Sequence, residues 1–196
     1  MSVKPMLASD ASDNLEMVKY PVMVSPKLDG IRCLKIDGKA VSRNGKPIPN
    51  TFVREYVEKH AQEGDDGELI IKGEFNKVAS GIMSRSGEPD FEFQIFDNFR
   101  IDDTYKNRFQ NLKVGGRIAL VPHVIVKNEK ELMTMEERWV DEGYEGIMLN
   151  DPMGLYKHGR STLRGRELAK IKRFKDEEAI IVGFEEQMKN TNEAKK

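Results

Sequence analysis

Cysteine is nearly absent: Cys33 stands alone among 196 residues. A disulfide framework within the chain is therefore excluded, as is a cysteine zinc site. Cys33 itself reads as a small half-buried strand residue. Histidine is scarce too, and His60, His123 and His158 lack the spacing of metal ligands. No apolar run is long enough to cross a bilayer, and no signal-peptide pattern opens the chain. A soluble, intracellular protein with no membrane partner is expected. Repeats and low-complexity segments are missing as well.

A surplus of either charge is also lacking. Lys and Arg number 32 against 33 Asp and Glu, for a net charge of -1. The whole molecule is thus no obvious polyanion binder, but its charge is unevenly spread. Lys157 to Lys175 holds eight basic residues and one acid, Glu167. Lys27 to Lys46 holds six basic residues and two acids. Seven acids fall between Glu129 and Glu145. Two basic segments in a neutral chain predict one basic face.

Strand patterns outnumber helical ones. Ile31–Ile36 and Lys39–Arg43 flank Asp37-Gly38, a pair suited to a two-residue hairpin turn. In that register Ile36 faces Lys39 and Arg32 faces Arg43. Like charges directly opposite repel, so the register predicts an anion between them. A helix is expected over Asn50–Gly64, with Val53, Tyr56, Val57, His60 and Ala61 on one face. Strands are expected at Gly67–Lys72, Phe91–Phe96, Gly146–Leu149, Leu168–Lys172 and Glu178–Phe184. Arg117–Val126 reads as one strand interrupted by Pro122. A short helix is expected at Thr104–Lys113. Another starts at Asn128, with Glu131 as its capping partner, Leu132, Met135 and Trp139 as its apolar stripe, and Gly143 at its end. The expected class is α+β with antiparallel sheets flanked by helices.

The most informative segment is Lys27-Leu28-Asp29-Gly30-Ile31-Arg32. It puts a lysine, a carboxylate, a glycine and an arginine at a bend between two strands. A lysine so held can attack a phosphorus centre once its amine is neutral. An ordinary lysine keeps its proton to about pH 10.4, so surrounding cations are needed to loosen it. Alternation puts Lys170 and Lys172 on one strand face, with Ala169 and Ile171 turned inward. Further along come Ser42-Arg43-Asn44-Gly45, Asp66-Gly67-Glu68-Leu69, Phe96-Asp97, Glu145-Gly146-Ile147-Met148 and Leu168-Ala169-Lys170-Ile171-Lys172, in that order.

This ordered set resembles the covalent nucleotidyltransferases, and most closely the adenylation domain of ATP-dependent DNA ligases. Lys4-Pro5-Met6-Leu7-Ala8 and Lys157-His158-Gly159-Arg160-Ser161-Thr162-Leu163 look like the minimal viral and phage ligases. The resemblance covers essentially the whole chain. It implies a nucleotidyltransferase (ATP-grasp-like) domain over residues 1–189. The cofactors implied are ATP, which leaves an AMP adduct on Lys27, and magnesium. Asp29 and Glu145 would lie near the metal, and Asp29 would help with that metal or with a 3′-hydroxyl. Glu68 would bind ribose, Phe96 would stack on adenine, and Lys170 and Lys172 would hold the α-phosphate. Arg32 and Arg43 would engage phosphates and a nicked strand. Ser80–Arg85 reads as either a DNA-facing segment or a solvated loop. The partner implied is nicked double-stranded DNA, in replication, repair or recombination. The setting implied is the cytoplasm, the nucleus or a viral factory, with the protein a monomer. Residues 190–196 read as a linker or cut end, because the resemblance places an oligonucleotide-binding barrel beyond them. Two other readings remain: an mRNA guanylyltransferase or RNA ligase domain, and a nucleic-acid-binding fragment that needs the barrel for catalysis.

Overall fold

The computed structural model describes residues 3–71 and 80–172. The expected strand at 178–184, the Lys72 strand end, Lys175 and the 190–196 tail lie outside the described residues. The strands run as β1 (Met6–Leu7), β2 (Ser9–Asp10), β3 (Val22–Pro26), β4 (Ile31–Ile36), β5 (Lys39–Ser42) and β6 (Asp65–Ile71). They continue as β7 (Phe91–Asn98), β8 (Ile118–Leu120), β9 (Val124–Val126), β10 (Gly146–Asn150), β11 (Gly159–Arg160) and β12 (Leu168–Lys172). Helices α1 (Thr51–His60), α2 (Tyr105–Gln110) and α3 (Glu129–Asp141) join them.

Among the described residues the strands form two larger sheets and one small ribbon. The first sheet has the order β2-β12-β10-β3-β9 and the second β5-β4-β6-β7-β8. Helix α3 packs on the first sheet, burying Leu132 and Trp139 with Val24, Val126, Ile147 and Ile171. Helix α1 packs on the second, where Val53 and Val57 join Leu69, Phe91, Phe93 and Ile95. The class is α+β, as expected, but the sheets are mixed rather than antiparallel. β2 runs parallel to β12, β8 to β7, and β1 to β11. The β7–β8 case has a plain cause: α2 lies between those strands, and a crossover element permits parallel pairing where a hairpin does not.

Asp37 and Gly38 take φ of 50° and 75°, the left-handed values a two-residue type I′ turn requires. Ile36 faces Lys39 and Cys33 faces Ser42, so the register is the expected one. The ladder stops there, however, one pair short of Arg32 and Arg43. Asn50 caps α1 by accepting from the Val53 amide at 3.0 Å. That helix ends at His60, before Gly64, with Ala61 already extended, and Lys35 reaches across and donates to the carbonyls of Glu58 and Ala61. A cation there satisfies the orphan acceptors and suits the helix dipole. Helix α2 is likewise shorter than the expected Thr104–Lys113. Asn128 accepts from the Glu131 amide, and the Glu131 carboxylate accepts in return from the Asn128 side-chain amide and the Lys127 backbone amide. The strand expected over Arg117–Val126 is instead two, in different sheets. Pro122 cannot donate to a ladder, and Val121–His123 carries the chain from the second sheet to the first. Ile82, within the Ser80–Arg85 segment, is fully buried. Its carbonyl accepts from the Asn50 amide, tying the segment to the start of α1.

Candidate active site

Strand β3 delivers Lys27 to the end of the first sheet, where its amide donates to the Gly146 carbonyl at 2.8 Å. Its Nζ makes an ion pair with Glu145, and Lys172 Nζ lies 3.5 Å from the other Glu145 oxygen. On β12, Ala169 and Ile171 are buried, so Lys170 and Lys172 share the opposite face. Lys170 Nζ is 3.3 Å from Asp10. Burial works against ionisation of Glu145, but Lys27 and then Lys172 outweigh it and hold its carboxyl below the usual range. Asp29 moves the other way: partial burial, then the charge of Glu145, pushes it up despite Lys27 and Lys172. The two acids thus stand close enough to repel.

The second sheet contributes Arg32, Glu68 and Phe96. Arg32 grips Asp66 in a two-pronged pair, with Nε at 2.5 Å and Nη2 at 2.7 Å from its two oxygens. Burial opposes the charge on Arg32, but Asp66 more than offsets it and raises its pKa. Its guanidinium lies 4.6 Å from the Phe96 ring centroid, a cation–π distance. Glu68 is the ladder partner of Arg32. Burial, helped by Asp66 and opposed by Arg32, pushes its pKa up to about 7.

A β-bulge sets the position of Phe96. Asp66 pairs with Asp97 but Gly67 pairs with Ile95, so Phe96 has no partner in the ladder. A bulge re-aims the side chain it carries. Here Ile95 stays in the core while Phe96 faces the cleft. Gly67 makes this possible, since a Cβ there would meet Gln94 O at 2.5 Å and Phe93 Cε2 at 2.8 Å. Gly30 has the same cause: its Cβ would meet Leu69 O at 2.5 Å and Glu68 Cγ at 2.7 Å. Both motif glycines let backbones pass close together.

Between the sheets lies a cleft of about 400 Å³, within the range of small-molecule sites. Lys27, Arg32, Arg43, Glu68, Phe96 and Lys170 line it. Glu145 and Lys172 stand behind Lys27, and Asp29 is an exposed neighbour of that group. The two basic segments do meet, because Arg160 lines the same cleft as Arg32 and Arg43. Arg166 turns to Asp151 at 3.2 Å, and Arg164 is exposed. Two expectations need correction. Arg32 and Arg43 are not a ladder pair needing an anion between them: Asp66 already neutralises Arg32. The cations expected to crowd Lys27 are also partnered, Arg32 by Asp66, Lys172 by Glu145 and Lys170 by Asp10.

Sequence reasoning gave no role to four residues that shape the site. Asp66 holds Arg32. Tyr156 donates to Asp66 at 2.7 Å. Asp97 and Arg108, both buried, pair in two-pronged fashion just beyond Phe96. Arg108 also donates to the carbonyls of Asp103 and Gly154. Asp66 had a signal, since alternation puts it on the same face as Glu68. The others are joined only by long-range folding.

Two sheets enclosing a cleft, with a strand-end lysine facing an arginine and a bulged aromatic, define a nucleotidyltransferase domain. Residues 90–172 match the family described as ATP dependent DNA ligase domain. The crystal structure of Chlorella virus DNA ligase-adenylate superposes with a TM-score of 0.80 at 32% identity, covering 89% of this chain and 70% of that one. The DNA ligase of African swine fever virus (Warthog isolate) is 28% identical over 130 residues, 61% of this chain and 31% of the viral enzyme. The DNA ligase of Enterobacteria phage T4 is 24% identical over 149 residues, 69% of this chain and 30% of the phage enzyme. The chain belongs to the ATP-dependent DNA ligase family. It spans about a third of the length of the swine fever virus and phage ligases. Among the described residues no helix is long and apolar enough to cross a membrane.

Proposed function

We propose that this domain takes AMP from ATP onto Lys27 and passes it to the 5′-phosphate at a nick in double-stranded DNA. The observation that carries the reading is the Lys27–Glu145–Lys172 cluster at the mouth of a cleft walled by Phe96 and Glu68. Lys27 must leave Glu145 and lose its proton. Its nitrogen lone pair then attacks the α-phosphorus; the N–P bond forms, and the bond to the bridging oxygen breaks as pyrophosphate departs. In the second step an oxygen of the 5′-phosphate attacks the same phosphorus and the N–P bond breaks, returning the lysine. Phe96 offers a face for the base, Glu68 an acceptor for ribose hydroxyls, and Lys170 and Lys172 positive charge for the phosphoryl oxygens. Arg43 and Arg160 at the rim suit the DNA backbone.

Asp29 and Glu145 fit a magnesium ion. They are two carboxylates whose mutual repulsion a cation would relieve. Among the described residues no three or more acids, histidines or cysteines gather as a metal site, and magnesium characteristically takes one or two carboxylates plus substrate phosphates. Bound there, it would neutralise phosphate charge.

Intact-mass measurement after incubation with magnesium and ATP tests the reading. One AMP should be gained by the native chain and none by Lys27→Ala. An adduct on the variant would move the acceptor elsewhere. Labelling by GTP as strong as by ATP would favour a guanylyltransferase, and no adduct with either would leave a nucleic-acid-binding module.

A further inference from the structure

We propose that Tyr156 is a positioning residue for Arg32, acting through a closed ring of hydrogen bonds that joins the N-terminal segment to the wall of the cleft. The Met6 amide donates to the Tyr156 hydroxyl at 3.0 Å. The hydroxyl donates to Asp66 Oδ2 at 2.7 Å. Asp66 accepts from Arg32 at both oxygens, and Arg32 Nη2 reaches back to the Met6 carbonyl at 3.4 Å. The circuit therefore starts and ends on one backbone residue. It links four segments distant in sequence: β1, β4, β6 and the loop after β10.

Each member has a reason to be there. Asp66 is fully buried, so its second oxygen needs donors to match its charge. Tyr156 remains a protonated donor, because burial and the charge of Asp66 raise its pKa. The ring uses Nε and Nη2 of Arg32 and, among the described residues, leaves Nη1 as the open edge of a side chain that lines the cleft. The guanidinium plane is thereby fixed over Phe96, which leaves the other face of that ring for a base. Without the hydroxyl, Asp66 loses a donor and the pair can swing. A swung guanidinium no longer covers Phe96 or aims Nη1 into the cleft.

The inference rests on the proposed nucleotide site, and the test separates the two. ATP affinity is measured by calorimetry on Lys27→Ala, which cannot react, with and without Tyr156→Phe. Phenylalanine keeps the ring packed against Phe99 and His158, and a melting curve checks the fold. Binding should weaken about fivefold to tenfold, the scale of one ordinary hydrogen bond. The same change made beside Arg32→Lys should cost little further, since an ammonium has no plane to orient. Non-additivity of this kind marks action through Arg32. Equal affinity with and without the hydroxyl overturns the proposal. So does an equal loss in the Arg32→Lys background, which would make Tyr156 a structural residue only. Failure of Lys27→Ala alone to bind ATP would instead sink the nucleotide site and this inference with it.

Discussion

The two sheets facing the cleft hold their charges in different ways. On the first, Lys27, Lys170 and Lys172 each meet a carboxylate of the described residues at one oxygen, with their side chains roughly a quarter to a third exposed. At the second, Arg32 from β4 and Arg108 from helix α2 are each locked by paired bonds to an aspartate of the sheet and by further bonding to backbone carbonyls. A single contact to an ammonium can be exchanged for a phosphate oxygen at small cost. A guanidinium fork set in a buried network cannot. In the proposed reaction the lysine sheet thus has the charges that would change partners, and the arginine sheet has those that keep the cleft in shape.

The largest expected effect sharpens this contrast. Lys27→Ala should remove all covalent nucleotide while altering stability by no more than about 1 kcal/mol, as befits a partly exposed ion pair. Glu145 keeps Lys172 as a partner in that variant. Mass spectrometry and a urea titration on the same sample read both quantities. A loss of several kcal/mol would mean that the lysine sheet is as locked as its counterpart.

Arg108→Met is the mirror experiment. It leaves Asp97 buried without its partner and strips donors from the Asp103 and Gly154 carbonyls. Removing one member of a buried pair typically costs about 3–5 kcal/mol, so a strongly lowered denaturation midpoint is expected. A loss under about 1 kcal/mol would place Asp97 and Arg108 among the exchangeable charges and erase the distinction.

The same contrast explains what could be read from the chain. The Asp37-Gly38 turn, the Asn50 and Asn128 caps and the shared face of Lys170 and Lys172 follow from local rules that act within a few residues. The lysine at its bend was legible for that reason. The arginine sheet was less so. A bulge at Phe96 is defined only by the pairing of its neighbours Asp97 and Ile95 with Asp66 and Gly67, some thirty residues earlier. Asp66 as the partner of Arg32, and Tyr156 as the partner of Asp66, are likewise settled by tertiary contact. Pro122 marked a break in its strand, but nothing local told that the chain there changes sheets.

A smaller effect concerns pH. The Glu68 carboxyl is pushed up to about 7 by burial, with Asp66 adding to the push. The folded state therefore binds more protons at this site than the unfolded chain between about pH 4.5 and 7. Its contribution is full below that window and is lost as pH rises through it. His123 has the opposite sign: burial lowers its pKa to about 4, so its contribution grows between about pH 4 and 6.5. The native curve contains both slopes. Glu68→Gln removes only the first, so the variant's melting temperature should gain relative to the native chain as pH rises from 5 to 7. Parallel curves would show that Glu68 is ionised in the fold and belongs with the exchangeable group.

The smallest expected effect probes the weakest contact of the lysine sheet. Asp10 holds Lys170 at 3.3 Å with about half of its own side chain exposed. Its pKa is lowered first by the Ser12 hydroxyl and amide and only then by Lys170, so the serine does more than the lysine to keep it ionised. Its stabilising contribution is present above the unfolded carboxyl pKa and is lost as pH falls through the lowered folded value. Asp10→Asn keeps a hydrogen-bond acceptor for Ser12 and removes the charge facing Lys170. A water-exposed pair of this kind contributes about 0–1 kcal/mol, so stability should fall by less than that, and by less still in high salt. Lys170 meanwhile loses a competitor for phosphate, so ATP affinity should hold or tighten. If affinity instead drops along with stability, Asp10 is holding Lys170 in place, and the first sheet is built like the second.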